Sequence, residues 1–408
     1  AAIELKDAAY RLMRLPTIAD KTFLISIGDR YDDGLARAAP LVDDARRLGD
    51  PPALAEALLQ QAVLLGRKAN YPEADEALMA ALAEAERAGY HALRAEAMVH
   101  RIELVGFHQA RPERVAEWIA PTLALVRHVA ADGALEGRLL ANIGLVRYRQ
   151  GNFAAAIEAQ EQALALLGRA LKETDPEFVR ALLDLGRSYQ RSGRHGEALQ
   201  TLRRAHATAI RALGPDHPLL IGIYLNLANV GAGPGDLLYR RSIELSERTF
   251  GPDHPSGASA IANLGNTYNN YGHPEQALAL YVRAVDIYRR TIGDHPTTAF
   301  NLVNVAAAAM TLGRDDEALA ALRESLAIFE RSYGGAEHPD MIGALMLLGH
   351  LARERGDPGE SRALLTRGLA IARAAQNPML TPEAFAIERA ATLLAAGDPR
   401  GALDLLEP

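Results

Sequence analysis

Residues Ser259–Gly293 read SAIANLGNTYNNYGHPEQALALYVRAVDIYRRTIG, and this stretch decides the fold. Two apolar patterns of helical period meet at Tyr271-Gly272-His273-Pro274, a turn of Gly and Pro. In the first pattern Leu264-Gly265 is followed by Tyr268; in the second Ala277 precedes Tyr281, and Ala284 follows. Small residues let two helices approach closely where they cross, and tyrosines fill the space beside the crossing. The spacing therefore predicts a helical hairpin.

The same unit recurs along the chain. With Gly265 as marker of the first helix, helix A, its equivalents are Thr22, Ala62, Glu103, Gly144, Gly186, Ala228, Ala306, Gly349 and Ala390. In chain order the intervals are 40, 41, 41, 42, 42, 37, 41, 43 and 41 residues. Twelve residues beyond each marker stands the helix-B residue: Gly34, Ala74, Val115, Ala156, Ala198, Ala277, Ala318, Ser361 and Ala402, all small except Val115. Only the unit marked by Ala228 lacks it. There Gly231-Ala232-Gly233-Pro234-Gly235 replaces the usual end of helix A, and about five residues, more than one helical turn, are missing.

The L-G-x2-Y…A-x3-F/Y spacing resembles that of tetratricopeptide (TPR) repeats. The resemblance implies an all-α fold, a right-handed superhelical α-solenoid of about nine to ten hairpins. From residue 135 the pattern sharpens and a second feature enters at the junctions. Asp175-Pro176 is followed by Asp216-His217-Pro218, Asp253-His254-Pro255, Asp294-His295-Pro296 and Glu337-His338-Pro339. With Leu225-Asn226-Leu227-Ala228 and Ala262-Asn263-Leu264-Gly265, these resemble the G-x-D-H-P and L-x-N-L-A motifs of kinesin light chains, a 42-residue variant of the repeat. The expected organisation is one continuous solenoid: divergent hairpins over 1–134, a kinesin-light-chain-like array over 135–376 and a capping hairpin over 377–408. The Ala/Arg/Leu-rich style, with Arg30–Gly66, also resembles TPR arrays that follow bacterial Ser/Thr kinase domains, although no H-R-D or D-F-G occurs here.

Composition narrows the function classes. Aromatics make up 5% of 408 residues and the net charge is −7 with both signs mixed, so no basic face points to nucleic acid. The absence of cysteine fits a reducing compartment, and neither a membrane-length apolar run nor a leader is seen, so a cytoplasmic protein is expected. The chain opens on Ala1-Ala2 without a Met, which reads as a piece of something longer. No HExxH, P-loop, dinucleotide fingerprint or nucleophile–base pair is present, so neither catalysis nor a cofactor is expected. Gly231–Gly235 reads as a shortened hairpin connection rather than a phosphate loop, because no strand precedes it and no Lys-Ser/Thr follows. Trp118, the single tryptophan, reads as helix-B packing.

The Asp-His-Pro tripeptides are the regularly spaced His–carboxylate pairs, and a metal site has to be weighed. Stacked helices lie about 8–10 Å apart, too far for successive tripeptides to share an ion whose ligands sit about 2 Å from it. Helix initiation is the reading preferred: Pro suits the first turn, and Asp caps it or complements the dipole. No metal is expected.

One polar series has no local explanation. Two residues before the marker stand Asn142, Asp184, Asn226, Asn263 and Asn304, then Leu347; one residue after it stand Arg187, Asn229, Asn266 and His350. Asn is a poor helix former and does not recur in mid-helix for local reasons. A carboxamide both donates and accepts, which matches a peptide backbone. By resemblance to kinesin light chains, Asn142, Asp184, Arg187, Asn226, Asn229, Asn263, Asn266 and Asn304 would line a concave groove holding an extended partner segment. Internal ties between neighbouring helices are the competing role. The expected function is a non-catalytic scaffold for a peptide or partner domain. The alternatives are a sensor or regulatory arm of a bacterial kinase or NTPase, and a structural spacer that self-associates.

Overall fold

The computed structural model describes residues 31–129, 133–374 and 382–406. The helix expected at Ile3–Arg14, the weak helix A around Thr22 and the break at Gln376-Asn377-Pro378 lie outside these residues. Among the described residues there is no strand, and α-helices follow one another in antiparallel pairs. They are α1 (Tyr31–Leu48), α2 (Pro51–Arg67), α3 (Tyr71–Arg87), α4 (His91–Glu103), α5 (Pro112–Val129), α6 (Ala134–Arg149), α7 (Phe153–Ala170), α8 (Pro176–Arg191), α9 (His195–Leu213), α10 (Leu219–Asn229) and α11 (Gly235–Phe250). There follow α12 (Pro255–Asn270), α13 (Pro274–Thr291), α14 (Pro296–Thr311), α15 (Asp315–Ser332), α16 (Ile342–Glu354), α17 (Pro358–Ala374), α18 (Pro382–Ala395) and α19 (Pro399–Leu406). The residues form two compact units, Ala1–Ala260 and Ile261–Pro408.

The hairpin that decides the fold forms as its sequence dictates. Gly272 takes φ 78°, the left-handed conformation that ends α12. Gly272 N–H then reaches the Asn269 carbonyl (3.0 Å) and His273 N–H the Tyr268 carbonyl (2.9 Å), closing the helix end. Pro274 starts α13 where a missing N–H costs nothing.

The marker glycines are small because of a side chain sixteen residues on. A Cβ on Gly265 would lie 2.8 Å from Tyr281; on Gly186, 2.7 Å from Leu202; on Gly349, 2.7 Å from Leu365; and on Gly144, 2.5 Å from Gln160. The fully buried small residue twelve on, such as Ala198 or Ala277, lets the helix-B backbone come close. In the third unit the marker is displaced. A π-turn over Leu104–His108 follows α4, and the close approach falls on Gly106, whose Cβ would meet Val146 at 2.6 Å and Val115 at 2.9 Å. Glu103 is thus free to be large.

The tripeptides do start helices, but the capping atom differs from the sequence expectation. Histidine rather than aspartate caps: Nδ1 of His217, His254, His295 and His338 accepts from the backbone N–H two residues on, at 3.3, 3.2, 3.1 and 3.2 Å. Only at Asp175-Pro176, which has no histidine, does the carboxylate cap, accepting from Glu177 N–H at 2.8 Å. In three of the tripeptides the acidic residue pairs with an arginine on the helix B that follows: Asp216 with Arg248, Asp294 with Arg331 (2.8 Å) and Glu337 with Arg367 (2.9 Å). In these three tripeptides both the acidic residue and the histidine are thereby committed to the fold.

The core of the C-terminal unit is one continuous cluster from Ala277 to Ala372, with Phe329 and Leu322 fully buried. In the N-terminal unit the core is divided into separate clusters under successive hairpins. Trp118 belongs to one of these, half-buried, with the Arg101 guanidinium 4.4 Å from its ring.

Candidate partner-binding faces of the hairpins

In the N-terminal unit the series before the marker is buried. Asn142 Nδ2 donates to the Val99 carbonyl of the preceding helix A at 3.0 Å. Asp184 binds Arg187 on its own helix at 2.7 Å, and Asn226 Nδ2 donates to the Gly222 carbonyl one turn back at 2.8 Å. Arg187 lies over two rings, Phe107 at 5.0 Å and Tyr148 at 5.1 Å. The π-turn supplies Phe107, and also His108, which pairs with Glu103 at 3.5 Å. Burial alone would raise the Glu103 carboxyl, but the pairing with His108, helped by Arg180 and His100, outweighs it and holds the group well below the usual range.

Around these residues charge accumulates. Arg138 bridges Glu96 (3.3 Å) and Glu177 (2.7 Å) on the flanking A helices. His100 and His217 are both pushed down to about 4, first by burial and then by arginines: Arg138, Arg67 and Arg180 act on His100, and Arg180 and Arg67 on His217. His254 is also lowered by burial, while its Nε2, 3.1 Å from the Arg67 carbonyl, opposes that shift. Residues of α2, α4, α6, α8 and the junctions before α10 and α12 therefore face one another. Nothing in the hairpin spacing announces this cluster; Arg138 and Arg180, each four before a residue of the polar series, Asn142 and Asp184, are its one readable sign.

The residue after the marker is held in a different way. Tyr239 on α11 donates its hydroxyl to Asn229 Oδ1, and Tyr281 on α13 donates to Asn266 Oδ1, both at 2.7 Å. Burial raises both phenols, Tyr281 to about 12, so the hydroxyls remain donors at neutral pH. Once the five-residue deletion is allowed for, Tyr239 and Tyr281 occupy the same repeat position. Asn266 Nδ2 in turn reaches Asn263 Oδ1 at 3.4 Å. Asn229, Asn263, Asn266 and Asn304 are all half-buried. Two repeats thus carry a carboxamide whose orientation is fixed from helix B. The Asn and the Tyr are each visible in the sequence, but their link is not, because one lies on each helix.

No helix among the described residues is long and apolar enough to cross a membrane. Residues 177–236, 238–290 and 293–374 match the tetratricopeptide-repeat family, and 138–177 match another profile of the same repeat. Among solved structures, a signal-transduction ATPase with numerous domains and a tetratricopeptide repeat sensor, from Pyrococcus horikoshii, is similar over 86% of this chain, with 12% identity and a TM-score of 0.56. The chain spans 51% of that protein's length. The quorum sensor NprR from B. thuringiensis is similar over 86% of this chain and 98% of its own (13% identity, TM-score 0.55). A Rap protein complexed with Competence and Sporulation Factor is similar over 85% and 99% (12%, 0.53). At these identities the likeness is one of fold. The matched repeats cover more than half of the sequence, and the chain belongs to the tetratricopeptide-repeat family.

Proposed function

We propose that this chain is a non-catalytic protein-interaction scaffold that holds an extended segment of a partner along the helix-A faces of its hairpins. The observation that carries this is the repeated Tyr–Asn pair. Tyr239–Asn229 and Tyr281–Asn266 each spend a buried hydroxyl on orienting a half-open carboxamide. Fixing an amide before a ligand arrives reduces the ordering cost of binding. Asn263 and Asn304 extend the amide series, whereas Asn142, Asp184 and Asn226 are buried in contacts within their own unit and Arg187 lies over Phe107 and Tyr148.

The test is to find binders in a tiled peptide library and measure them by calorimetry against Asn229→Ala/Asn266→Ala. Each amide bond to a partner backbone contributes about 0.5–1.5 kcal/mol net. The double variant is expected to weaken binding roughly 5- to 150-fold, with a lower melting temperature because the buried Tyr239 and Tyr281 hydroxyls lose their acceptors. Unchanged affinity with a lowered melting temperature would make these asparagines internal ties. A second reading, a sensor arm of a larger signalling protein, draws on the likeness to the Pyrococcus ATPase and to NprR. Whether the source gene encodes a kinase or NTPase domain together with this chain decides it.

A further inference from the structure

His254 makes a contact that nearest-neighbour stacking does not produce. Its Nε2 lies 3.1 Å from the carbonyl of Arg67, the last residue of α2, 187 positions earlier. Hairpins in a solenoid normally touch only their neighbours in the stack. The intervening hairpins of the N-terminal unit must therefore curve until α2 meets the junction before α12. Arg67 also acts on His217, at the junction one hairpin earlier, so the approach involves more than a single atom pair.

The hydrogen bonding assigns the imidazole's state. Nδ1 accepts from Ser256 N–H at 3.2 Å, so the proton sits on Nε2 and is donated to Arg67. The acceptor is one of the last four carbonyls of a helix, which have no partner within it. Phe250 lies 4.3 Å from the ring and covers it. One neutral histidine thus caps α12 and reaches across to α2.

We propose that His254 and the Arg67 carbonyl form a clasp that closes the helix-A face of the N-terminal unit on itself, so that a partner reaches that face when the clasp opens. The gating half rests on the partner-binding reading above. The closure half is independent of it.

The chain has no cysteine, so paired spin labels can be placed cleanly at Lys68→Cys and Asp253→Cys, both exposed. His254→Asn is the informative variant: asparagine keeps the helix cap but is too short to reach Arg67. In the labelled parent, pulsed-dipolar spectroscopy is expected to give one short distance. His254→Asn is expected to add a longer population, lowering the closed-to-open ratio roughly 2- to 12-fold, the worth of one hydrogen bond. Diethylpyrocarbonate should acylate His100 and His217 faster in the variant by a similar factor. Identical distance distributions would overturn the clasp. A longer distance with unchanged acylation would overturn the gating. Failure to find any peptide binder would remove the binding reading and leave the distance result standing.

Discussion

The N-terminal unit buries the residue two before each marker, with Asn142, Asp184 and Asn226 at 5%, 6% and 5% exposure, whereas Asn263 and Asn304 of the C-terminal unit stay half open. Hairpin packing does not account for this. Tyr–Asn pairs occur in both units, and so does a helix-B serine bonded to a helix-A carbonyl: Ser242 to Ile221 and Ser325 to Ala299, each at 2.8 Å. The lining differs instead. In the N-terminal unit Glu96, Arg138, Arg180 and Asp184 meet across A helices, while from Asn263 to Leu347 the corresponding positions carry Asn, Phe300, Gly343 and Leu. The charged lining turns inward, although Nε of Arg138 and of Arg187 and Nε2 of His100 have no hydrogen-bond partner among the described residues. In the C-terminal unit Asn263 and Asn304 are half-buried, and Asn263 accepts from Asn266. One repeat plan therefore supports two surfaces, because helix–helix crossing and ladder chemistry occupy different positions of the motif.

The largest expected effect comes from breaking the charged lining. Arg138→Met keeps the stem but strands Glu96 and Glu177, whose side chains are only 14% and 27% exposed. Removing one partner of a buried pair costs about 3–5 kcal/mol, and partial exposure here lowers that to about 2–4 kcal/mol. Arg289→Met, which loses the open pair with Glu324 (45% and 40% exposed), should cost under about 1 kcal/mol. Denaturant unfolding checks both. Equal losses would mean that the two linings do not differ as described.

Acid should distinguish the units next. His217 is lowered from 6.5 to about 4, so its neutral state stabilises the fold above about pH 6.5. As pH falls from there towards 4 the unfolded chain takes up the proton first, and stability is lost, on the order of 2 kcal/mol for a partly exposed group. His254 shifts in the same direction. Hydrogen exchange at pH 5 is expected to open α10 before α14, and His217→Asn to flatten the dependence while keeping the cap. Equal opening of α14, capped by His295, would trace acid sensitivity to the caps and not to the arginines.

Crossing glycines should behave alike in both units. In Gly186→Ala and Gly349→Ala the new Cβ meets Leu202 or Leu365 at 2.7 Å, against branched carbons with little room to move. Overpacking costs about 1–3 kcal/mol, and alanine's helix propensity returns up to about 1, leaving a net loss of about 1–2 kcal/mol at each site. Thermal melts showing one site tolerant and the other not would break the shared packing plan.

The hairpins were legible because Gly186, Gly265 and Ala277 report a local event, two helices crossing, that each repeat encodes within itself. The ladder was legible as a pattern of Asn but not as an environment. Burial of Asn142 depends on how closely Val99 of the preceding helix A approaches, and no single repeat carries that distance. Aspartate is the commoner capping residue, so the sequence points to it for the cap or the helix dipole. His254 takes that place because its ring reaches both Ser256 and Arg67, and the second partner lies far away in sequence. The displaced marker at Glu103 follows from the same limit, since a π-turn is a product of packing around Gly106.

The smallest expected effect is a gain. Gln160 occupies the position filled by Leu202, Tyr281 and Leu365 in other hairpins, against Gly144. It is 1% exposed, and among the described residues neither its Oε1 nor its Nε2 has a hydrogen-bond partner. Tyr281 at this position carries a hydroxyl that reaches Asn266. The residue after Gly144 is Leu145, which offers Gln160 no such acceptor. An unsatisfied buried amide costs about 1–3 kcal/mol relative to an apolar group of the same shape. Gln160→Leu has the volume that the crossing already accepts from Leu202 and Leu365. It is expected to stabilise the chain by about 1 kcal/mol, the lower end being taken because leucine must repack beside Gly144. The gain should appear as slower hydrogen exchange in α6 and α7 and leave α14 and α15 unchanged. A loss of stability in Gln160→Leu would mean that the amide is held by a partner of its own, and that this hairpin is built differently from those marked by Gly186 and Gly349.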